Sequence, residues 1–384
     1  MADPFPRRGR DLRLDFFRGL SLFFIFIDHI PNNFLGWFTL RSIAFSDAAE
    51  VFIFISGYTA ALVYGRSMHQ HGALFASAQI YRRVWQLYVA HIFLFVIFIA
   101  EVSYVGLAVN NPMYTEEARV GEFLQEPHIA VIKALVLEFQ PAFLDILPLY
   151  IVLLGSFPLV LIALERGALW ALLPSAALYA LTLRHDWSLP SYPADSAWFF
   201  NPLAWQFTFV LGFALAREDA GVGALVRRHI RWLRILALPF LIYFTFGVLF
   251  DALWDPTNVP EPKLFFLLDK TWATPPRLIQ FLSLVAVFSP LFYYIRRSAG
   301  LPYVHYPVDA LIRMFALLGR NSLYVFCVGS LLSLTAQFVR FAYRGTVGVD
   351  TAVVISGIIV MAFTAWLAES RQRARPASPA AQRS

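Results

Sequence analysis

Two ionisable residues, Arg18 and His29, lie within the first strongly hydrophobic segment of the chain, residues 14–36. If this segment is a helix, each residue turns the chain by about 100°, so eleven steps bring His29 to within roughly 20° of the direction of Arg18. The same eleven steps separate the two residues by about 16 Å along the helix axis. One helix face therefore carries a permanent cation and, far from it, an imidazole that can act as a general base or a nucleophile.

Carboxylates accompany this histidine in the sequence. Asp28 precedes it directly, and Asp47 and Glu50 begin the next hydrophobic segment. A carboxylate beside a histidine holds its ring in one orientation and one tautomer. We therefore predict a catalytic group of His29, Asp28, Asp47 and Glu50, in which either Asp47 or Glu50 orients the ring.

Less specific interpretations of the same residues are open. Asp15 lies three residues before Arg18, close enough on a helix to form an ion pair that only anchors the helix end. In a less favoured interpretation, His29 is a packing residue with a hydrogen-bonded ring. Ionisable groups at membrane depth are functional by default, which favours the catalytic interpretation for His29.

Arginines elsewhere suit a ligand that carries phosphates. We predict Arg82 and Arg83 at the start of the third helix and Arg320 at the start of the ninth. Guanidinium groups bind phosphates in bidentate geometry, so with Arg18 these residues are predicted to hold a donor such as coenzyme A. For any single arginine, anchoring at the membrane surface is the simpler alternative. His91 is left open between packing and function.

Competing chemistries find no support in the sequence. Metal-ligand spacing is absent, so no metal is predicted, and neither a phosphate-binding glycine loop nor a nucleophile elbow occurs. The single cysteine, Cys327, excludes an internal disulfide. Ser56 and Gly57 are small residues within a hydrophobic segment, and we assign them to close helix packing.

The composition indicates an all-α, polytopic membrane protein. Hydrophobic residues make up 59% of the chain and charged residues 15%, and the mean hydropathy is +0.61. About ten segments are near the length of a membrane span. They are predicted at residues 14–36, 47–66, 84–109, 142–164, 168–183, 202–216, 232–250, 278–295, 321–340 and 350–368. We assign residues 1–369 to a single domain and residues 370–384 to a disordered cytoplasmic tail.

The distribution of basic residues orients these spans. Most of the 31 lysines and arginines fall in alternate loops if both termini are cytoplasmic. The net charge of +6 is thus explained by topology, and no nucleic-acid partner is predicted. The opposite loops, at residues 110–141, 185–201 and 251–276, are rich in aromatic and acidic residues. Such loops bind sugars in some proteins and form a lipid-facing aromatic belt in others, and the belt is the commoner case.

Three motifs make the sequence recognisable. Arg18–Gly19 is followed by Asp28–His29, then by DAAEVFIFISGY at 47–58 and LGRNSLYVF at 318–326. The chain resembles the OpgC family within the larger group of membrane-bound acyltransferases. The resemblance implies about ten helices in a bacterial inner membrane and transfer of an acyl group, succinyl in OpgC itself, from cytoplasmic acyl-CoA to a periplasmic glucan.

The resemblance also implies site residues. It places the family's arginine and histidine pair on Arg18 and His29, with the histidine central to acyl transfer as a base or as a transient acyl carrier. Many related enzymes have a later histidine where this chain has Gly329, so no role carries over there.

Two other function classes are weighed. A transporter or flippase of a glycan or lipid-linked substrate would also line a path with buried charges. A pH-responsive receptor is a weaker alternative, because the chain offers no signalling domain. The acyl group, the acceptor and the oligomeric state are left open.

Overall fold

The computed structural model describes residues 10–109, 115–116, 118–194, 196–216, 221–249, 268–298 and 305–374. Within these residues the regular secondary structure is helical, without a strand. Seven helices in the described ranges are long and apolar enough to cross a membrane. The all-α, multi-pass class predicted from composition is thereby confirmed, while the number of ten spans and the side of the termini stay predictions.

The helices are numbered here in chain order. They are α1 (Leu12–Asp28), α2 (Ala48–His71), α3 (Ala73–Val109), α4 (Gly121–Gln125), α5 (Pro127–Leu135), α6 (Ile146–Arg166), α7 (Ala168–His185), α8 (Pro202–Leu215), α9 (Gly221–Leu249), α10 (Pro275–Phe288), α11 (Leu291–Ser298), α12 (His305–Arg320), α13 (Ser322–Ala342) and α14 (Val347–Arg373). The seven candidate spans are α2, α3, α6, α9, the pair α10–α11, α13 and α14.

The chain divides into two compact units. The small unit contains the described residues of 10–36 and 292–374, hence α1 and α12 to α14. The large unit contains the described residues of 37–291. Two compact parts do not test whether the chain acts as one domain, so the single-domain assignment stays a prediction.

In the small unit, α1 packs against α12, α13 and α14. The backbones of α1 and α12 touch. A Cβ atom added at Gly19 would lie 1.8 Å from the carbonyl oxygen of Phe315, and one added at Gly319 would lie 1.9 Å from that of Asp15. The two helices therefore run antiparallel, at a separation that only glycine permits.

Replacing Gly19 with alanine should destabilise the protein by about 1–3 kcal/mol, because the added methyl group overlaps the α12 backbone. Gly155→Ala on α6 is the matched control, since nothing lies within 4 Å of its added Cβ. Thermal unfolding of both variants in the same detergent checks this prediction. Equal midpoints would contradict the close contact of α1 and α12.

The large unit contains a similar crossing, between α2 and α8. A Cβ atom added at Gly57 would lie 2.0 Å from the carbonyl oxygen of Phe209. The predicted role in close helix packing is therefore confirmed for Gly57. Beside the crossing, the buried ring of Phe157 meets those of Phe209 and Phe213 edge to face, at centroid distances of 5.5 and 4.9 Å.

The first predicted span is wrong in its second half. The α-helix ends at Asp28, and a short 3₁₀ turn follows at Phe34–Phe38. Pro31 explains the break, because proline disfavours helical geometry in the residue before it and has no backbone N–H to donate. Asn32 then takes a left-handed conformation, with φ of 57°.

Two predicted helix starts are also wrong. Arg82 and Arg83 lie well inside α3, whose 37 residues make it about 55 Å long, and Arg320 ends α12 instead of opening α13. Hydropathy detects only the part of a helix that matches the roughly 30 Å hydrocarbon layer. The polar extension of α3 and the amphipathic helix α12 therefore lie outside the segments that hydropathy predicts.

The remaining boundaries concern short or terminal segments. Helix α5 lies between two predicted spans; at nine residues it is about 13 Å long and too short to span. Helix α14 continues to Arg373, beyond the predicted start of the tail. Residues 375–384 lie outside the described part of the chain.

Candidate functional site

His29 occupies the C-cap of α1, where the helix ends. Its backbone N–H donates to the carbonyl of Ile25 at 3.0 Å, and its own carbonyl accepts from Nε2 of Gln337 on α13 at 2.7 Å. The side chain is partly buried. Because both backbone groups of His29 are held, the position from which its ring projects is well defined.

The loop after His29 is held by a buried ion pair. Arg340 on α13 and Asp350 on α14 pair with each other, and the Asp350 side chain is 2% exposed. The Arg340 guanidinium donates to the carbonyls of Pro31 and Asn32, the second at 2.6 Å. Asp350 Oδ2 accepts from the backbone N–H of Phe34 at 2.7 Å. Two helices thereby clamp the polar loop that follows the histidine.

Charged groups gather at the other end of the small unit. Arg18 is partly buried on α1, eleven residues before His29, so the rise between them is about 16 Å. Asp15 pairs with Arg10, Nε to Oδ2 at 2.6 Å, and not with Arg18 as the anchoring interpretation required. Arg320 lies beside the first turns of α1 and contacts Glu369 on α14 at 3.3 Å. The structure thus brings two of the predicted phosphate-binding arginines to one end of one unit.

Asp28 is the last residue of α1 and is partly buried. Among the predicted catalytic carboxylates, it is the one that lies in the small unit with His29. Its assignment to the catalytic group stays a prediction.

Asp47 and Glu50 begin α2 in the large unit and form a capping box. Asp47 Oδ1 accepts from the N–H of Ala49, and Glu50 Oε2 accepts from the N–H of Asp47, both at 2.8 Å. Both carboxylates also have cationic partners. Lys270 Nζ lies 2.5 Å from Asp47 Oδ2, and Arg277 Nη2 lies 2.6 Å from Glu50 Oε1.

The pair formed by Glu50 and Arg277 is deeply buried, with side chains 2% and 8% exposed. Gln280, one turn further along α10, accepts from the backbone N–H groups of Phe45 and Ser46 at 2.7 and 3.1 Å. These contacts attach the start of α2 to α10. Orientation of the His29 ring by one of the two α2 carboxylates stays a prediction.

The predicted cations on α3 are arranged differently. Arg82 is exposed, and Arg83 is partly buried with Nη1 3.2 Å from Gln86 Oε1. His91, two turns further on, is fully buried, and neither ring nitrogen makes a hydrogen bond within the described ranges. A donor site that includes these arginines stays a prediction.

The comparisons with known proteins identify the family. A family model described as OpgC protein matches residues 10–373. The chain belongs to the OpgC family. The family is usually an acyltransferase in glucan modification. No curated protein and no solved structure matches the chain.

Within this OpgC chain, five residues that hold the candidate catalytic residues in place, each within its own unit, are not predictable from the motifs. They are Lys270, Arg277, Gln337, Arg340 and Asp350. In the sequence, Lys270, Arg277 and Arg340 belong to none of the three motifs. Acidic and basic residues at the ends of different spans are a recognisable signal. Spacing does not tell which of them pair, because the partners come from distant parts of the chain.

Proposed function

We propose that this protein is a membrane-bound O-acyltransferase that moves an acyl group from cytoplasmic acyl-CoA to a hydroxyl of an envelope glucan. Succinyl is the first acyl group to test. The observation that carries the proposal is the family match along nearly the whole chain. The arrangement of α1 supports it, because Arg18 and a well-anchored His29 lie about 16 Å apart on one short helix.

The proposed chemistry uses His29 as a general base. The neutral imidazole takes the proton of a glucan hydroxyl while the hydroxyl oxygen attacks the thioester carbonyl. A C–O bond forms, the C–S bond breaks, and the proton passes to the coenzyme A sulfur. In the alternative order, the imidazole attacks first and carries the acyl group until the hydroxyl displaces it. Either order gives one ester and one free thiol.

The charge at the far end of α1 suits the donor. Coenzyme A carries phosphates on a long flexible arm. Arg18 and Arg320 supply guanidinium groups at one end of the small unit, and such groups bind phosphates well. We propose that the arm runs from these arginines along α1 towards His29, so that the thioester reaches the opposite end of the helix.

Reconstituted vesicles provide the test. The purified full chain is given succinyl-CoA on one side and neutral glucan on the other, and free thiol and glucan mass are followed together. We expect thiol release that depends on glucan, with one ester formed per thiol. Vesicles without protein are the negative control. Vesicles given acetyl-CoA in place of succinyl-CoA measure which acyl group the protein prefers. Movement of glucan or lipid without thiol release would overturn the proposal in favour of a transporter.

A further inference from the structure

The large unit contains a cavity that the proposed chemistry does not use. Its volume is about 610 Å³, within the range of roughly 300–1,000 Å³ that small-molecule sites occupy. It is lined by two stretches of chain, at residues 116–145 and 191–199. These are two of the aromatic and acidic loops that the distribution of basic residues assigns to the outer side.

The two stretches form a joined wall. The backbone N–H of Tyr192 donates to the carbonyl of Glu138 at 2.9 Å, which joins the two stretches. Within the first stretch, the N–H of Ala142 donates to the carbonyl of Ala118 at 3.0 Å. The ring of Phe139 meets that of Tyr192 edge to face, with centroids 6.0 Å apart. A cavity with walls held in this way is preformed, which lowers the entropy lost on binding.

Carboxylates dominate the charge of the lining. Four acidic side chains face one cation, Arg119, among the described lining residues; they are Glu116, Glu122, Glu138 and Asp145. Glu138 is paired with Lys133 at 2.6 Å, which leaves the lining negative overall. An anion such as the phosphates of coenzyme A is repelled here, whereas hydroxyl groups find several acceptors.

Asp145 is the acceptor that points most clearly to a ligand. The residue lines the cavity and is only 7% exposed. It occupies the N-cap position of α6, yet its side chain makes no capping hydrogen bond. Burial raises the pKa of Asp145 to about 6. A hydrogen bond from its own backbone and the positive charges of Arg119 and Lys270 lower the pKa, but by less. Burial of a carboxylate costs free energy, and a ligand hydroxyl that donates to Asp145 inside the cavity offsets part of that cost.

Aromatic rings complete the lining. Phe139, Tyr192, Trp198 and Phe199 all contribute. Trp198 is buried and its indole N–H donates to the carbonyl of Pro190 at 2.8 Å, so the ring is fixed in place. Tyr192 and Phe199 are only partly buried, so they present ring surface to the cavity as in a sugar site, where an aromatic face packs on the apolar face of a pyranose. The lipid-belt interpretation does not account for these particular rings.

We infer that this cavity binds the acceptor, as a neutral polyhydroxylated carbohydrate whose hydroxyls donate to Asp145 and Glu122 and whose rings pack on the aromatic wall. The inference rests on the proposed function, because it assigns the acceptor of that reaction. It adds a reason for selectivity: the negative lining accepts a neutral sugar and rejects the anionic donor.

Binding measured by calorimetry on the purified full chain tests the inference. The probe is a defined neutral gluco-oligosaccharide, with succinyl-CoA as the competitor. Asp145→Asn and Glu122→Gln keep the size of the side chain and remove its charge, and each should weaken oligosaccharide binding about tenfold or more. Glu165→Gln, an exposed residue on α6, is the control and should bind as the wild type does. Succinyl-CoA should not displace the oligosaccharide.

The outcomes separate the two proposals. Wild-type affinity in both cavity variants, or displacement by succinyl-CoA, would overturn the cavity assignment and leave the acyltransferase proposal standing. Weakened binding in both variants, together with no thiol release in vesicles, would support a carbohydrate site and overturn the acyltransferase proposal. A thermal unfolding scan of each variant establishes that it is folded, and Asp145→Glu should recover part of the affinity.

Discussion

Replacing His29 with alanine should lower the rate of acyl transfer to glucan by about 10²- to 10⁴-fold, the usual contribution of a positioned general base. The loss should appear in kcat, since the substitution removes the group that takes the hydroxyl proton and leaves the proposed arginine contacts of the donor in place. The measurement is thiol release from acyl-CoA in vesicles that contain glucan. His229→Ala changes an exposed histidine on α9 and is the matched control, with a rate equal to wild type.

The two roles proposed for His29 are also separable. A histidine that carries the acyl group forms a labelled protein when radioactive acyl-CoA is added without glucan, and the label is lost in His29→Gln. A histidine that acts only as a base gives no label. Wild-type transfer by a His29→Ala protein that is folded and inserted would contradict both roles.

Arg277→Met should destabilise the protein by about 3–5 kcal/mol, because it leaves the carboxylate of Glu50 buried without its cationic partner. The double variant Glu50→Gln with Arg277→Met should recover much of that loss, since it removes both charges. Unfolding by denaturant in detergent micelles measures the free energies.

The control for this prediction is Arg313→Met on α12. Arg313 lies 2.7 Å from Asp309, but its side chain is 70% exposed, so the pair is worth about 0–1 kcal/mol. If Arg277→Met proved as stable as Arg313→Met, the buried pair would not be what attaches the start of α2 to α10.

Much of the fold was predictable because its signals are local. Hydropathy over about 20 residues identifies a span without knowledge of its neighbours. The predictions that failed concern helices whose length differs from the length of the apolar segment. Arg82 and Arg83 lie far inside α3 because that helix exceeds the hydrocarbon layer, and α12 was missed because an amphipathic helix is not uniformly apolar.

The candidate site also has a part that the sequence predicts and a part that it does not. Arg18 and His29 were found from sequence, because helical periodicity relates residues of one segment. The alternative in which Asp15 pairs with Arg18 is wrong, because the partner is Arg10: several cations near one carboxylate compete, and side-chain packing selects among them. The cavity was not predictable, because its wall combines two loops whose contact no periodicity describes.

By itself, the sequence determined that this chain is an all-α membrane protein of the OpgC family, with an arginine and a histidine about 16 Å apart on its first helix. Only the tertiary structure decided that Gln337, Arg340 and Asp350 hold His29 and its loop, that Arg277 pairs with Glu50, and that Asp145 lines a cavity. The physical reason is the range of each effect. Hydropathy and helical periodicity act between near neighbours in the chain, whereas ion pairs and cavities depend on which distant segments pack together.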